Sequence, residues 1–133
     1  MLLLDSEALS SIANGPADRR DRVRALVGEM RRRELPVATV AAVLAEVVRG
    51  RSQDAAVFAG LRRERVEVHA VDSRVAVRAG QLLGACRADS TLAIDAFLVA
   101  VADLSAGAII ATGDPKDLRR LVAHAEAVSV AAL

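Results

Sequence analysis

The order of apolar runs predicts an α/β sandwich, with a mostly parallel central sheet flanked by helices. Three observations carry this. Leu2-Leu3-Leu4 and Ala108-Ile109-Ile110-Ala111 are short, continuous apolar runs, the pattern of strands buried on both faces. Between the strand-like runs lie segments with apolar residues at helical spacing. The joints between them are short and marked by Gly, Pro, Asn and Asp. Strands alternating with helices over short loops build a parallel sheet, because parallel neighbours need a crossover.

Each element has its own signal. Leu2–Leu4 is the first strand, and Ser6 is placed to cap a helix running to Ala13. Asn14-Gly15-Pro16 breaks it. From Ala17 to Arg33, Val23, Leu26, Val27 and Met30 form an apolar stripe opposite a face rich in arginine. Leu35-Pro36-Val37 reads as a brief second strand or turn. A helix then starts at Ala38 or Thr39 and ends near Val48, closed by Arg49 and Gly50. Ser52 starts another, to about Arg65. Val66, Val68 and Ala70 alternate with Glu67 and His69, as in a half-exposed strand. Asp72 or Ser73 caps the next helix, to about Arg87. Thr91 to Ser105 is a strongly apolar helix that Gly107 ends. After the strand at Ala108–Ala111, Pro115 suits the first position of a helix to about Ala123, and Ala127–Val130 is the last strand.

Composition narrows the class. A chain of 133 residues with no linker and no internal repeat predicts a single domain, 1–133. Aromatics are only 2%, so Ala, Val and Leu build the core, and Phe58 and Phe97 are expected to be buried. The apolar share of 53% exceeds the usual one, which suggests a face covered by another chain, an Ala-rich high-GC composition, or both. A net charge of +1 means that any nucleic acid must be held by a local basic patch. Cys86, the only cysteine, excludes an internal disulfide and reads as a small buried hydrophobe. No secretory leader or long apolar span is evident, so a cytoplasmic protein with no membrane partner is expected.

Four acids carry the chemistry. Asp5 ends the first strand and Asp114 follows the Ala108–Ala111 strand. Carboxylates at the C-terminal ends of parallel strands project into the crevice where such sheets bind ligands. Glu46 and Asp95 interrupt helices that are otherwise apolar, so each is costly to bury without a partner. Taken singly, Asp5 reads as a cap, Asp114 as a turn residue, Glu46 as a partner for Arg49 or for an arginine of another helix, and Asp95 as a helix-start acid. Taken together, they form an all-oxygen set suited to Mg²⁺ or Mn²⁺ and expected to meet at a common ion, at ligand distances of roughly 2.0–2.1 Å.

The segments Leu3-Leu4-Asp5-Ser6, Val43-Leu44-Ala45-Glu46-Val47-Val48-Arg49-Gly50, Ile94-Asp95-Ala96 and Ala111-Thr112-Gly113-Asp114-Pro115-Lys116-Asp117-Leu118 together resemble the PIN-domain proteins. The similarity is to the VapC type, the toxin ribonucleases of type II toxin–antitoxin pairs. It covers nearly the whole chain and implies a PIN-like three-layer sandwich. It also implies catalytic metal ligands at Asp5, Glu46, Asp95 and Asp114, with Thr112 and Asp117 in support. Many relatives carry a further acid where this chain has Leu92; Asp89 lies earlier.

The resemblance further implies Mg²⁺- or Mn²⁺-dependent cleavage of RNA, a cognate VapB-type antitoxin, a homodimer and a toxin–antitoxin hetero-oligomer. RNA would need basic residues at the rim, for which Arg19, Arg20, Arg24, Arg62 and Arg63 are the candidates. His69 and His124 read as surface or structural residues. The alternative is a PIN-fold module that binds RNA or a partner chain without turnover. A phosphatase built on Asp5 would want a second Asp where Glu7 stands.

Overall fold

A computed structural model describes residues 1–133. The strands are β1 (Leu2–Leu4), β2 (Val37–Val40), β3 (Glu67–His69), β4 (Ala108–Thr112) and β5 (Val128–Ala132). All neighbours are parallel, in the order β3-β2-β1-β4-β5. The helices are α1 (Ser6–Asn14), α2 (Ala17–Arg32), α3 (Ala41–Val47), α4 (Asp54–Arg63), α5 (Ser73–Cys86), α6 (Ala93–Leu104) and α7 (Pro115–Val122). The expected α/β sandwich is present, and its sheet is parallel throughout.

Handedness sorts the helices. From β1 the chain steps to β2 and β3, then returns to the far side of β1 as β4 and moves on to β5. Right-handed crossovers put helices on one face for steps in one direction and on the other face for the reverse. Accordingly α1 packs with α2 and α4, while α6 packs with α5 and α7. Between them lies one core, holding Leu2, Leu3 and Leu4 of β1 with Leu9, Ile12, Leu98, Ile110 and Leu118. Crossovers leave β1 and β4 in opposite directions, so their shared C-terminal end is the topological switch point.

Several expectations are corrected. Asp5, not Ser6, caps α1: its Oδ1 accepts from the Ala8 N–H at 2.7 Å. The second strand runs on through Ala38-Thr39-Val40, where a helix was expected to start. Val37, Thr39 and Val40 are β-branched and pair with β1 and β3, which outweighs the helical tendency of the alanines. α3 is apolar apart from Glu46, yet only Val43 in it is buried. Val68 is 43% exposed because β3 is an edge strand. Phe58 is 41% exposed, and Cys86 is half-buried, with its Sγ donating to the Arg120 carbonyl at 3.2 Å. The apolar helix near Asp95 begins at Ala93, preceded by a short turn of 3₁₀-helix over Ser90–Leu92. No helix is long and apolar enough to cross a membrane.

One buried contact holds the switch point in register. The Thr39 hydroxyl donates to the Leu4 carbonyl at 2.7 Å, immediately before Asp5. Thr39 is fully buried. Replacing it with Val keeps the shape and leaves that carbonyl without its side-chain donor, at a cost of about 1–2 kcal/mol. Thr39→Val should therefore lower the urea midpoint with an unchanged m-value in equilibrium unfolding.

Candidate functional site

The register of β1 on β4 builds the centre of the site. Leu4 lies opposite Ala111, and the Asp5 N–H donates to the Ala111 carbonyl at 3.2 Å, which brings Asp5 alongside Thr112. Asp5 is buried. Burial pushes its carboxyl above the ordinary 3.8, and the charge of Glu7 adds to this; the Ala8 N–H and the Thr112 hydroxyl oppose it. Thr112 is also buried, and its Oγ1 accepts from the Asp114 N–H at 3.0 Å. A single hydroxyl therefore joins the two strand-end acids.

Asp114 caps α7, accepting from the Lys116 N–H at 3.3 Å, with Pro115 at the first helical position. The capping role expected of Asp5 as a single residue is thus real. Asp114, expected as a turn residue, also caps a helix, and both roles coexist with their place at one sheet edge. Asp95 enters from the other face, in the first turn of α6, where it is half-buried. Burial, then the negative charges of Glu46, Asp5, Asp117 and Asp114, push its carboxyl from 3.8 up to about 6. Each of those four acids is therefore near enough to act on Asp95.

Glu46 reaches this group from α3, but it is exposed, so the expectation that it is a costly buried charge is overturned. Neither anticipated partner is present: the Arg49 guanidinium donates to the carbonyls of Ala45 and Val48, and no arginine of another helix pairs with Glu46. Asp117 is half-buried and pairs with Arg120 at 3.3 Å. Asp89 is taken up by the Thr91 hydroxyl and N–H, which hold its carboxyl low, and it is not among the charges felt by Asp95.

Asp5, Glu46, Asp95 and Asp114 share a further property. None of them forms an ion pair with an arginine, a lysine or a histidine. Carboxylates without a cationic partner, two of which (Asp5 and Asp95) are pushed above the ordinary aspartate value and all of which offer hard oxygen ligands, suit a divalent cation. The acids do not form a closed group of three that would grip an ion directly. The expected convergence on one ion at direct ligand distance is thus not built in. Ligation of Mg²⁺ partly through waters does not require it.

The arginines divide. Arg19, in the first turn of α2, pairs with Glu7 at 3.2 Å on the acidic side. Arg20 and Arg24 follow it on α2. Arg62 and Arg63 lie in the last turn of α4, which leads into the N-terminal end of β3. That is the edge opposite the acids, and there Arg63 pairs with Glu64 and donates to the Ile12 carbonyl. His69 ends β3 and His124 is exposed beyond α7. Glu7 is the residue that reading for buried acids passes over. Its signal was its spacing, two residues past Asp5 on the first helical turn.

Comparison with protein families gives one match. The model of the PIN domain family matches residues 2–123, from β1 through the end of α7. A comparison with curated proteins finds no match.

The raised pKa of Asp95 makes a prediction about stability. Its folded-state value of about 6 lies above the ordinary 3.8, so the folded state binds the proton more tightly. Stability should therefore fall as pH rises from about 4 to 6. Asp95→Asn removes the charge. In metal-free buffer at pH 7–8 it should stabilise the protein by about 1 kcal/mol, after allowance for solvent screening. The gain should vanish below about pH 4, where the aspartate is neutral in both states. Thermal melts of both proteins in chelator across this range measure it; an Asn variant that is less stable at pH 8 would contradict the assignment.

Proposed function

Because the chain belongs to the PIN domain family, whose members are generally nucleases that use divalent metal ions, we propose that it is a Mg²⁺- or Mn²⁺-dependent endoribonuclease. The observation that carries this reading is the charge environment of Asp95. Four other carboxylates act on it at the switch point, and no basic side chain neutralises it. Concentrating acids there costs stability unless the site takes up a cation.

Each residue has a role in this reading. Asp5, Asp95 and Asp114 would hold the ion, directly or through water, and Glu46 would either join them or orient the attacking water. Thr112 fixes Asp5 and Asp114 relative to each other, and Asp117 adds charge from α7. A bound Mg²⁺ or Mn²⁺ would supply Lewis acidity, a more acidic water and charge neutralisation at the phosphate. The burial of Asp5 and Asp95 keeps their carboxylates from being screened by bulk water. Backbone donors at Ala8 and Lys116 fix one oxygen each of Asp5 and Asp114 and so orient both carboxylates.

The finer assignment rests on the order of the motifs around Asp5, Glu46, Asp95 and Asp114. By it the chain is a VapC-type toxin that forms a homodimer and binds a VapB-type antitoxin. Inducing the chain alone in a bacterial host should arrest growth, and inducing Asp95→Asn should not.

In vitro, the protein should cut single-stranded RNA with Mg²⁺ or Mn²⁺ and stop on adding chelator. Asp95→Asn should slow cleavage about 100-fold or more, a loss of about 3 kcal/mol of charge stabilisation. Proton and cation compete for Asp95, so Mn²⁺ affinity measured by calorimetry should rise by up to about tenfold per pH unit below pH 6 and level off above it. Purified protein that binds RNA but never cuts it with either ion would favour the non-catalytic module instead.

A further inference from the structure

Beside the acids lies a polar cleft of about 370 Å³ between α1, the start of α2 and the end of α3. Its polar lining includes Ser10, Asn14 and Gln53 and the carboxylates of Glu7, Glu46 and Asp54, and Arg19 is its only basic residue. Arg19 is held there by Glu7, whose Oε2 accepts from its Nη1 at 3.2 Å. The pair lies flat on the turn between β4 and α7. A Cβ at Gly113 would come 1.5 Å from the Glu7 carboxylate oxygen and 3.2 Å from the Arg19 Nη1. The absence of a side chain at Gly113 is therefore what lets this pair sit against the turn.

The pair is not locked in place. Its side chains are 36% and 46% exposed, and exposed ion pairs are weak. An RNA phosphate offers a guanidinium a bidentate, charged acceptor. Without Arg19, Glu7 would be one more carboxylate repelling RNA at a site already rich in them.

We propose that Glu7 and Arg19 form an exchangeable ion pair at the mouth of the acidic site, in which Arg19 leaves Glu7 to bind an RNA phosphate lying in the cleft next to the one that is cut. The proposal rests on the nuclease reading. Arg19 contacts the substrate. Glu7 is a positioning residue, which keeps the guanidinium over Gly113 in the free protein and yields it when RNA arrives. Ser10, Asn14 and Gln53 supply neutral hydrogen-bonding groups for the adjoining ribose and base.

Fluorescence anisotropy with a single-stranded RNA oligonucleotide, in chelator so that no turnover occurs, tests the exchange over a salt series. Arg19→Ala should weaken binding about tenfold and reduce the slope of log affinity against log salt by about 0.7, one phosphate contact on a single strand. Arg19→Lys keeps the charge and should keep the slope. Glu7→Gln should tighten binding several-fold, because the competing carboxylate is gone. Should Arg19→Ala be unstable in thermal melts, the Arg19→Lys and Glu7→Gln arms still decide. The exchange is overturned if the wild type cuts RNA while Arg19→Ala binds it with unchanged affinity and slope. It is equally overturned if Glu7→Gln weakens binding, since Glu7 would then be only a brace. A wild type that neither binds nor cuts RNA removes the exchange and the nuclease reading together.

Discussion

The concentration of negative charge at the switch point between β1 and β4 is the constraint on which the rest of this molecule depends. Asp5 is buried against Thr112, and Asp95 feels Glu46, Asp5, Asp117 and Asp114 at once. Nothing in the core needs these charges. They are held by backbone geometry that would serve as well without them: a cap on α1, a cap on α7, and the first turn of α6. The fold tolerates the repulsion because its stability comes from elsewhere, from one apolar core in which β1 is wholly buried.

Handedness then explains why the acids meet at all. Asp5 and Asp114 are far apart in the chain, but β1 and β4 are parallel neighbours, so both strands present their C-terminal ends to one edge. Glu46 and Asp95 come to that edge from the two sides of the sheet. The same rule separates the arginines. α2 begins at the acidic edge, so Arg19 is there; α4 ends at the other edge, so Arg62 and Arg63 are not. Local composition, which is rich in arginine in both helices, carries no information on this difference.

What was legible in the sequence was what local chemistry decides. The run Leu2–Leu4, the Asp72 cap with its 2.9 Å bond from the Val75 N–H, and Pro115 at the start of α7 all have signals within a few residues. The boundary of β2 and α3 has none. Val40 precedes α3 with no side-chain cap, and Val37 to Leu44 is apolar but for Thr39, so pairing with β1 and β3 sets where the strand stops. Burial of Glu46 and Phe58 was misjudged for a related reason. An apolar neighbourhood in sequence says what a residue could pack against, while the number of layers above it in space decides whether it is covered.

The capping and functional readings of Asp5 and Asp114 are not rivals, and this bears on how such a site is made. A carboxylate on a flexible turn would lose rotamer freedom on binding an ion. Asp5 has already lost it: Oδ1 is tied to the Ala8 N–H, and Thr112 donates to the carboxylate. Asp114 is tied to the Lys116 N–H, and its own N–H to Thr112. Capping thus orients two acids with bonds that the helices form in any case. Asp95 and Glu46 have no such ties, so they are free to adjust to whatever lies between the four. The site is half fixed and half adaptable, and the fixed half is the part drawn from the two strand ends.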